Sequence, residues 1–521
     1  MDISYSRSGK NVIALAALCL AQLMFALEIS SVPVILSTLE KVLQADFRDL
    51  QWIMNAYTIA CTTVLMASGT LADRYGRKRL FVISVIVFGL ASLLCGLTHS
   101  APLLIAGRFV QGMGGGAMLI CLIAILSHQF NEGQERIKAF GIWGIFLGFG
   151  LGFGPIVGGA IAALSGWQWV FLIHVPISII TLLLALGSVD ESSDPEAKKL
   201  DVLGIVTLSL AVFGLTYYIT QGSEFGFASS ISLYVIAATI ASFIAFLLVE
   251  KINPHPMFDF SVFRIRRFSG AIMGSIGMNF SFWPFIIFLP IYYQSALDYD
   301  IVAASLSLLA YTLPTLVVPP FAERLSHRYQ PAVIVPLGMF TIGLGFMLMR
   351  FGAGFTHAGG LTMLPGSLIA GVGLGLTNTP TTNTTTGSVP SNRAGMASGM
   401  DISARLITLA INIALMGLVL VAGIAGYLRG VLPASFDAAQ LRALAERIAA
   451  GNLPGLAHGF PEFSHIDASG AIARAALVHG FRWVMLYGGL GVYGCSVRSA
   501  PSFSALEGRG SLPVRDACAL I

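Results

Sequence analysis

The stretch Gly69-Thr-Leu-Ala-Asp-Arg-Tyr-Gly-Arg-Lys-Arg-Leu80 crowds five charges into a short segment between two runs that are almost free of them, 51–72 and 79–98. Lys and Arg collect on the cytoplasmic side of membrane proteins, so this composition reads as an inner turn joining two membrane helices. Gly69 permits close helix approach, Asp73 can cap or face a helix N-terminus, and Gly76 makes the turn. A positive-inside anchor accounts for the bases, but not for the Gly-x3-Asp-Arg-x-Gly-Arg-Lys spacing.

Similar apolar runs recur on both sides of this turn. They fall near 11–33, 51–72, 79–98, 101–127, 139–163, 168–188, 202–221, 231–249, 268–292, 302–321, 331–350, 361–380, 397–425 and 480–497. Each is long enough to cross a hydrocarbon core of ~30 Å as a helix. The chain of 521 residues is 55% apolar and 11% charged, and its mean hydropathy is +0.80. An all-α membrane protein of fourteen transmembrane helices is therefore expected, because lipid cannot satisfy open backbone groups and the alternation of a membrane barrel is absent. The first run continues past the length of a signal peptide and lacks a small-residue cleavage site, so it reads as a retained span. Four cysteines (Cys19, Cys61, Cys95, Cys121) lie in spans and two (Cys495, Cys518) near the end, with neither a disulfide framework nor metal-ligand spacing.

With the N-terminus inside, the inner segments collect most of the bases, among them Arg74, Arg77, Lys78, Arg136, Lys198, Arg264 and Arg324. The short outer loops hold only Lys41, Arg48 and Arg350. Both termini are thus expected in the cytoplasm and the protein in the cell inner (plasma) membrane. The formal net charge of +4 reflects this topology, and no nucleic-acid partner is indicated.

Ala56-Tyr-Thr58 matches Ala310-Tyr-Thr312 at an offset of 254, which also aligns Leu71-Ala-Asp-Arg-Tyr75 with Leu325-Ser-His-Arg-Tyr329. Two homologous six-span bundles are expected, 1–190 and 261–497, with two inserted helices in 191–260 after the polar linker Asp190–Lys199. In the second copy His327 replaces Asp73 and Pro331 replaces Arg77. An outer segment, 429–479, contains an amphipathic stretch over Asp437–Ala450 that reads as a cap on the bundle or as a partner surface. The last run stops at Arg498, so either the last span is short and tilts little or the tail is foreign to the fold; the second reading is preferred, and 498–521 is expected to be poorly ordered.

The Gly69–Leu80 spacing resembles the signature loop of the major facilitator superfamily, and further motifs make the sequence similar to its fourteen-span drug:proton antiporter branch (EmrB/QacA-like). Arg108-Phe-Val-Gln-Gly-Met-Gly-Gly-Gly-Ala117 is similar to the span-4 motif, whose arginine the family assigns to proton coupling. Gly150-Leu-Gly-Phe-Gly-Pro-Ile-Val-Gly-Gly159 is similar to the antiporter motif of span 5, and Trp167-Gln-Trp-Val-Phe-Leu-Ile-His-Val-Pro176 to the start of span 6. The resemblance implies the major facilitator fold, two six-helix bundles plus two inserted helices, and proton-coupled export of drugs by alternating access. It makes Gly69, Asp73, Arg74, Gly76, Arg77 and Lys78 a conformational gate, and Gly150, Gly154, Pro155, Gly158 and Gly159 a seal against leak. Export of an endogenous metabolite or siderophore, and a sensor or scaffold that transports nothing, remain alternatives. No enzyme is expected, since no nucleophile, metal cluster or phosphate loop accompanies the motifs.

Glu28 lies inside the first span, where a charge at mid-depth costs ~2.5–3.5 kcal/mol. Arg108 shares its depth and half, which makes the two a candidate switching pair for protons; Asp401 and Arg405 in span 13 are more marginal. The family's span-1 motif carries Asp in a Leu-Asp-x-Thr-Ile-Val-Asn setting, whereas this chain reads Leu27-Glu-Ile-Ser-Ser-Val-Pro33. Weaker candidates for the substrate cavity are Asn55, Tyr57, Asn279, Trp283, Gln294 and Asn378. An acid in an aromatic cavity suits lipophilic cations. No cofactor or metal is expected, only a proton gradient. The expected partners are a small-molecule substrate and the lipid bilayer, with a periplasmic adaptor and outer-membrane channel as candidate envelope partners.

Overall fold

The computed structural model describes residues 2–130, 133–193, 201–254, 256, 260–355, 359–389, 394–433, 435–451, 453, 456 and 460–504. Among them the regular elements are helices: α1 Asp2–Leu43, α2 Phe47–Tyr75, α3 Arg77–Leu97, α4 Ala101–Gln129, α5 Gly133–Ser165, α6 Gln168–Leu172, α7 His174–Ser188, α8 Val202–Phe225 and α9 Ser230–Ile252. There follow α10 Arg266–Ile291, α11 Ile301–Thr312, α12 Pro314–Val317, α13 Pro319–Tyr329, α14 Pro331–Gly352, α15 Gly360–Gly387, α16 Ala394–Val431, α17 Ala438–Ala450, α18 Pro461–Ile466 and α19 Ala471–Ser504.

Twelve helical segments among the described residues are long and apolar enough to cross a membrane. Two further helices pack among them. α2, with 29 residues, extends roughly 43 Å and α19, with 34, roughly 50 Å at the rise of an α-helix. Polar residues that face inward explain why α2 is less apolar: Gln51, Asn55, Thr58 and Thr62 are all buried in the bundle. α19 begins with Arg474, His479 and Arg482.

Prolines shape several of these elements. Pro176 has no N–H for the carbonyl of Leu172 and its ring crowds that position, so the sixth expected span divides into α6 and α7 there. Pro314, Pro319 and Pro320 divide the tenth into α11, α12 and α13 in the same way. Asp46 starts α2 with a reciprocal capping box, its carboxylate accepting from Asp49 N at 2.8 Å.

Helices α1–α7 pack on one another, as do α10–α16 with α19. α8 pairs with α9 and touches both α2 and α16, where Trp52 meets Phe213 and Tyr217 at ring distances of 5.6 and 6.3 Å. The outer side of α9 presents Ile240, Phe243, Leu247 and Leu248, a surface suited to lipid.

The two groups are tied from the middle of the bundle toward the end that carries α17. Thr312 Oγ1 donates to Gly152 O at 2.6 Å, Gln51 Nε2 to Ile413 O at 3.2 Å, and Gln294 Nε2 to Val34 O at 2.9 Å. Toward the opposite end, Gly141 and Gly144 of α5 border open space. The amphipathic stretch of the outer segment is helical as expected. Its apolar face, Leu441, Leu444 and Ile448, is already buried in the main core.

α19 runs as helix to Ser504. Residues 505–521 of the expected tail lie outside the described residues, as do 194–200 of the expected linker.

The close approach of α5 to α1 depends on glycine. A Cβ at Gly158 would lie 2.6 Å from Ser31 Cβ and 2.9 Å from its Cα, so neither helix has room to give. Gly158→Val should therefore push them apart, and overpacking of this kind costs about 1–3 kcal/mol. The check is thermal unfolding in detergent; an unchanged midpoint would show that the helices separate freely.

Candidate functional site

Glu28, on α1, and Arg108, on α4, are both 0% exposed. Arg108 Nη1 pairs with Glu28 Oε1 and donates to Gln111 Oε1 at 2.7 Å, while its Nε donates to the carbonyl of Ile53 at 3.0 Å. Gln111 passes the chain on to Ser92 Oγ at 2.9 Å. The guanidinium lies over the Tyr57 ring at 4.5 Å and near Phe171 at 5.8 Å, so aromatic faces replace part of its lost hydration. Nη2 has no hydrogen-bond partner among the described residues.

The other carboxylate oxygen, Oε2, meets a residue to which sequence reasoning assigned no role. His174 Nε2 lies 2.9 Å away, with the N–H direction off the line between them, so the contact is bent. The signal was present: His174 sits inside the span-6 motif, two residues before the proline that breaks the helix. Nothing in its periodicity singled it out.

Tyr57 thus belongs to this cluster. It also lines a small apolar cavity of about 20 Å³ between the two helix groups, together with Trp283, Met54 and Leu409. That space is too small for a drug-sized molecule in this conformation. A cavity of about 730 Å³ opens elsewhere, near the α17 end, between Ser37 and Lys41 of α1 and the segment Asp467–Arg474.

Asn279 and Asn378 lie in the second group. The Asn279 amide donates to Ser275 O at 3.0 Å. Asn378 accepts from Arg405 Nη1 at 2.5 Å, within a network where Arg405 also reaches Asp401 at 3.1 Å and Thr382 at 2.9 Å, and Ser275 bonds Asp401. Gln294 is away from both clusters, on the tie to Val34. Asn55 is fully buried with both amide atoms unpartnered. At the offset of 254 that relates Tyr57 to Tyr311, Glu28 falls on Phe282, which stacks on Tyr311 at 4.0 Å. The charge cluster has no counterpart there.

The glycine face of α5 serves two purposes. Gly150, Gly154 and Gly158 press on α1, where Ser30 Oγ donates to Gly150 O at 2.8 Å and Ser31 Oγ to Gly154 O at 2.9 Å. These serines stand where the family motif differs; the Ser31 hydroxyl goes to this contact, and that of Ser30 is shared between it and Ala26 O of its own helix at 2.9 Å. Gly152 and Gly159 face α11 instead, opposite Thr312 and Ser305. Pro155 is buried within the helix.

The charged turn lies at the other end. Arg77 Nη2 pairs with Asp73 at 2.7 Å, Arg74 lies over the Tyr75 ring at 5.6 Å, Gly69 packs near Ile120, and Lys78 Nζ donates to Leu186 O at 2.8 Å. Gly76 has φ +113°, in the region that favours glycine. Glu191, which sequence reasoning left in the linker, accepts from Lys78 N at 3.0 Å and Arg79 N at 3.2 Å, so its carboxylate holds the N-terminus of α3. Among the described residues no group of three or more His, Cys, Asp or Glu side chains is placed to hold a metal ion.

Helices of membrane-crossing length in two packed groups tied toward one end, with a charge cluster buried between helices, are the architecture of a membrane transporter. More particularly, the chain belongs to the Major Facilitator Superfamily, which residues 18–411 match. It is 29% identical over 481 residues to the multidrug resistance protein Stp of Mycobacterium tuberculosis (strain CDC 1551 / Oshkosh), covering 91% of this chain and 89% of that protein. Over 414 residues it is 28% identical to the quinolone resistance protein NorB of Staphylococcus aureus (strain MSSA476), covering 79% and 88%. In structure it resembles a bacterial homolog of the human lysosomal transporter Spinster, with a TM-score of 0.65 at 17% identity over 97% of this chain and 99% of that one. That likeness shows the fold alone.

Proposed function

We propose that the protein is a proton-coupled exporter of lipophilic drugs, working by alternating access. The observation that carries this reading is Glu28: an acid fully buried against Arg108 is costly unless its charge is used. The names of the relatives, resistance to multiple drugs and to quinolones, support drugs as substrates. Counting α2 and α19 with the twelve apolar segments gives fourteen spans. On this reading 1–190 and 261–497 are the moving bundles and 191–260 the insert. The chain sits in the inner membrane with both ends in the cytoplasm.

The ties near α17 and the open space beside Gly141 and Gly144 then correspond to closure outside and opening inside. The Spinster homolog of similar fold was captured inward-facing and unoccupied. Gly69–Lys78 acts as the inner gate, and the α5 glycines with Pro155 form the outer seal. Because Arg108 already pairs with Glu28, a cationic substrate gains from that acid only by competing with the guanidinium, so neutral and zwitterionic compounds fit as well.

The test is accumulation in everted vesicles under an imposed pH gradient, with a fluorescent quinolone as probe. Uptake that a protonophore abolishes is expected. Uptake indifferent to the gradient, or none for any lipophilic probe, would overturn the reading.

A further inference from the structure

His174 opens α7 at the break made by Pro176 and is 1% exposed. Its ring stands edge-on to Phe88 at 5.5 Å. Nε2 reaches Glu28 Oε2, the oxygen that Arg108 does not take, and Nδ1, across the ring, has no hydrogen-bond partner among the described residues. α7 packs on α1, α3 and α6. From α1 the group that faces His174 is Glu28, with Arg108 of α4 beyond it. α3 brings Phe88 and, within reach of the ion pair, the thiol of Cys95; α2 brings the phenol of Tyr57 and the thiol of Cys61; α6 brings the Phe171 ring.

We propose that His174 and Glu28 together form the proton carrier, with Nδ1 of His174 as the atom where the proton enters. The inference rests on the proton-coupled reading above. Oε1 of the carboxylate is held by the guanidinium and Oε2 faces His174 Nε2, so a proton reaching either oxygen directly disturbs a contact, whereas Nδ1 holds none among the described residues. The imidazole offers a basic atom on its far side while the pair stays intact.

The step balances as follows in atoms and charge. With Nε2–H directed at the carboxylate, Nδ1 carries a free lone pair and takes up one proton, giving imidazolium. The Nε2 proton then passes to Oε2, leaving a neutral carboxylic acid and a neutral ring protonated at Nδ1. One proton has been added, and the charge of the cluster has risen by one, now held by Arg108 alone. Glu28 no longer holds the guanidinium by charge, although the Ile53 carbonyl and Gln111 still accept from it. The bent contact in this conformation is usual for proton-transfer partners that align only in the working complex.

Proton-driven uptake measured across the neutral range in vesicles holding wild type, His174→Asn, His174→Gln or Glu28→Gln tests this, with energy-independent substrate exchange as the control for folding. Both histidine variants should keep exchange. They should lose at least about tenfold of the proton-driven rate at neutral pH, and its pH dependence should move to the acid side by about one unit or more. A pH profile unchanged in both, with Glu28→Gln inactive, would show that the carboxyl works alone and would overturn the proposal while leaving the proton-coupled reading in place. If Glu28→Gln also kept proton-driven uptake, Glu28 would carry no proton and the proposal would fall; wild-type uptake indifferent to the gradient would overturn the proton-coupled reading itself. Should the histidine variants not fold, the wild-type infrared difference spectrum on quinolone binding decides: carboxyl and imidazole bands together are expected, and a carboxyl band alone refutes it.

Discussion

Glu28→Gln is expected to abolish proton-driven accumulation while leaving exchange of substrate down its own gradient. One proton crossing ~100 mV releases ~2.3 kcal/mol, enough for about a fiftyfold gradient of a neutral substrate. Glutamine preserves the shape of the side chain, and its amide oxygen can still accept from Arg108, but it has no site for that proton. The accumulation ratio in energised everted vesicles should therefore fall from as much as about fiftyfold to near one. Intact accumulation in this variant, with exchange also normal, would remove Glu28 from the mechanism. Glu28→Asp sharpens the question: a carboxylate one methylene shorter cannot keep Arg108 and His174 both in reach without a shift of α1.

The second large effect falls on stability. Arg108→Ala leaves a carboxylate at 0% exposure with only the bent His174 contact, and leaves the Ile53 carbonyl and Gln111 without their donor. Removing one partner of a buried pair costs about 3–5 kcal/mol. The void against Tyr57 and Phe171 adds to that. A sharp drop in the yield of monodisperse protein and in its thermal midpoint is expected. The double variant Glu28→Gln, Arg108→Gln should recover part of the loss, since contacting residues typically couple by about 0.5–3 kcal/mol. Strictly additive losses would mean that the two side chains contribute separately.

Much of this was legible in the sequence because lipid imposes a simple grammar. Apolar length marked the helices, and a charge inside an apolar run marked Glu28 and Arg108, which the fold brings into contact. Long-range partners were not legible. His174 and Glu28 are far apart in the chain, and only the packing of α7 on α1 brings them together. Glu191 likewise reads as a linker acid until the fold sets it at the start of α3. The glycine face of α5 was visible as a repeat, but a repeat does not say which neighbour each residue meets. Gly154 meets α1 and Gly152 meets α11. The count of spans was least secure at α2, where polar residues turned toward the interior dilute the apolar signal.

One flank of the molecule is built differently from the other. On one side α5 and α11 meet directly, glycine against hydroxyl; on the other, α8 lies across the boundary and grips α2 through Trp52 while also touching α16. On the alternating-access reading proposed above, the α5–α11 seam offers the moving helices nearly bare backbone, whereas the opposite flank offers stacked aromatic rings. On that reading the two flanks resist shear unequally, because the rings that α8 sets against Trp52 must slip past one another while the glycine seam has little side chain to move.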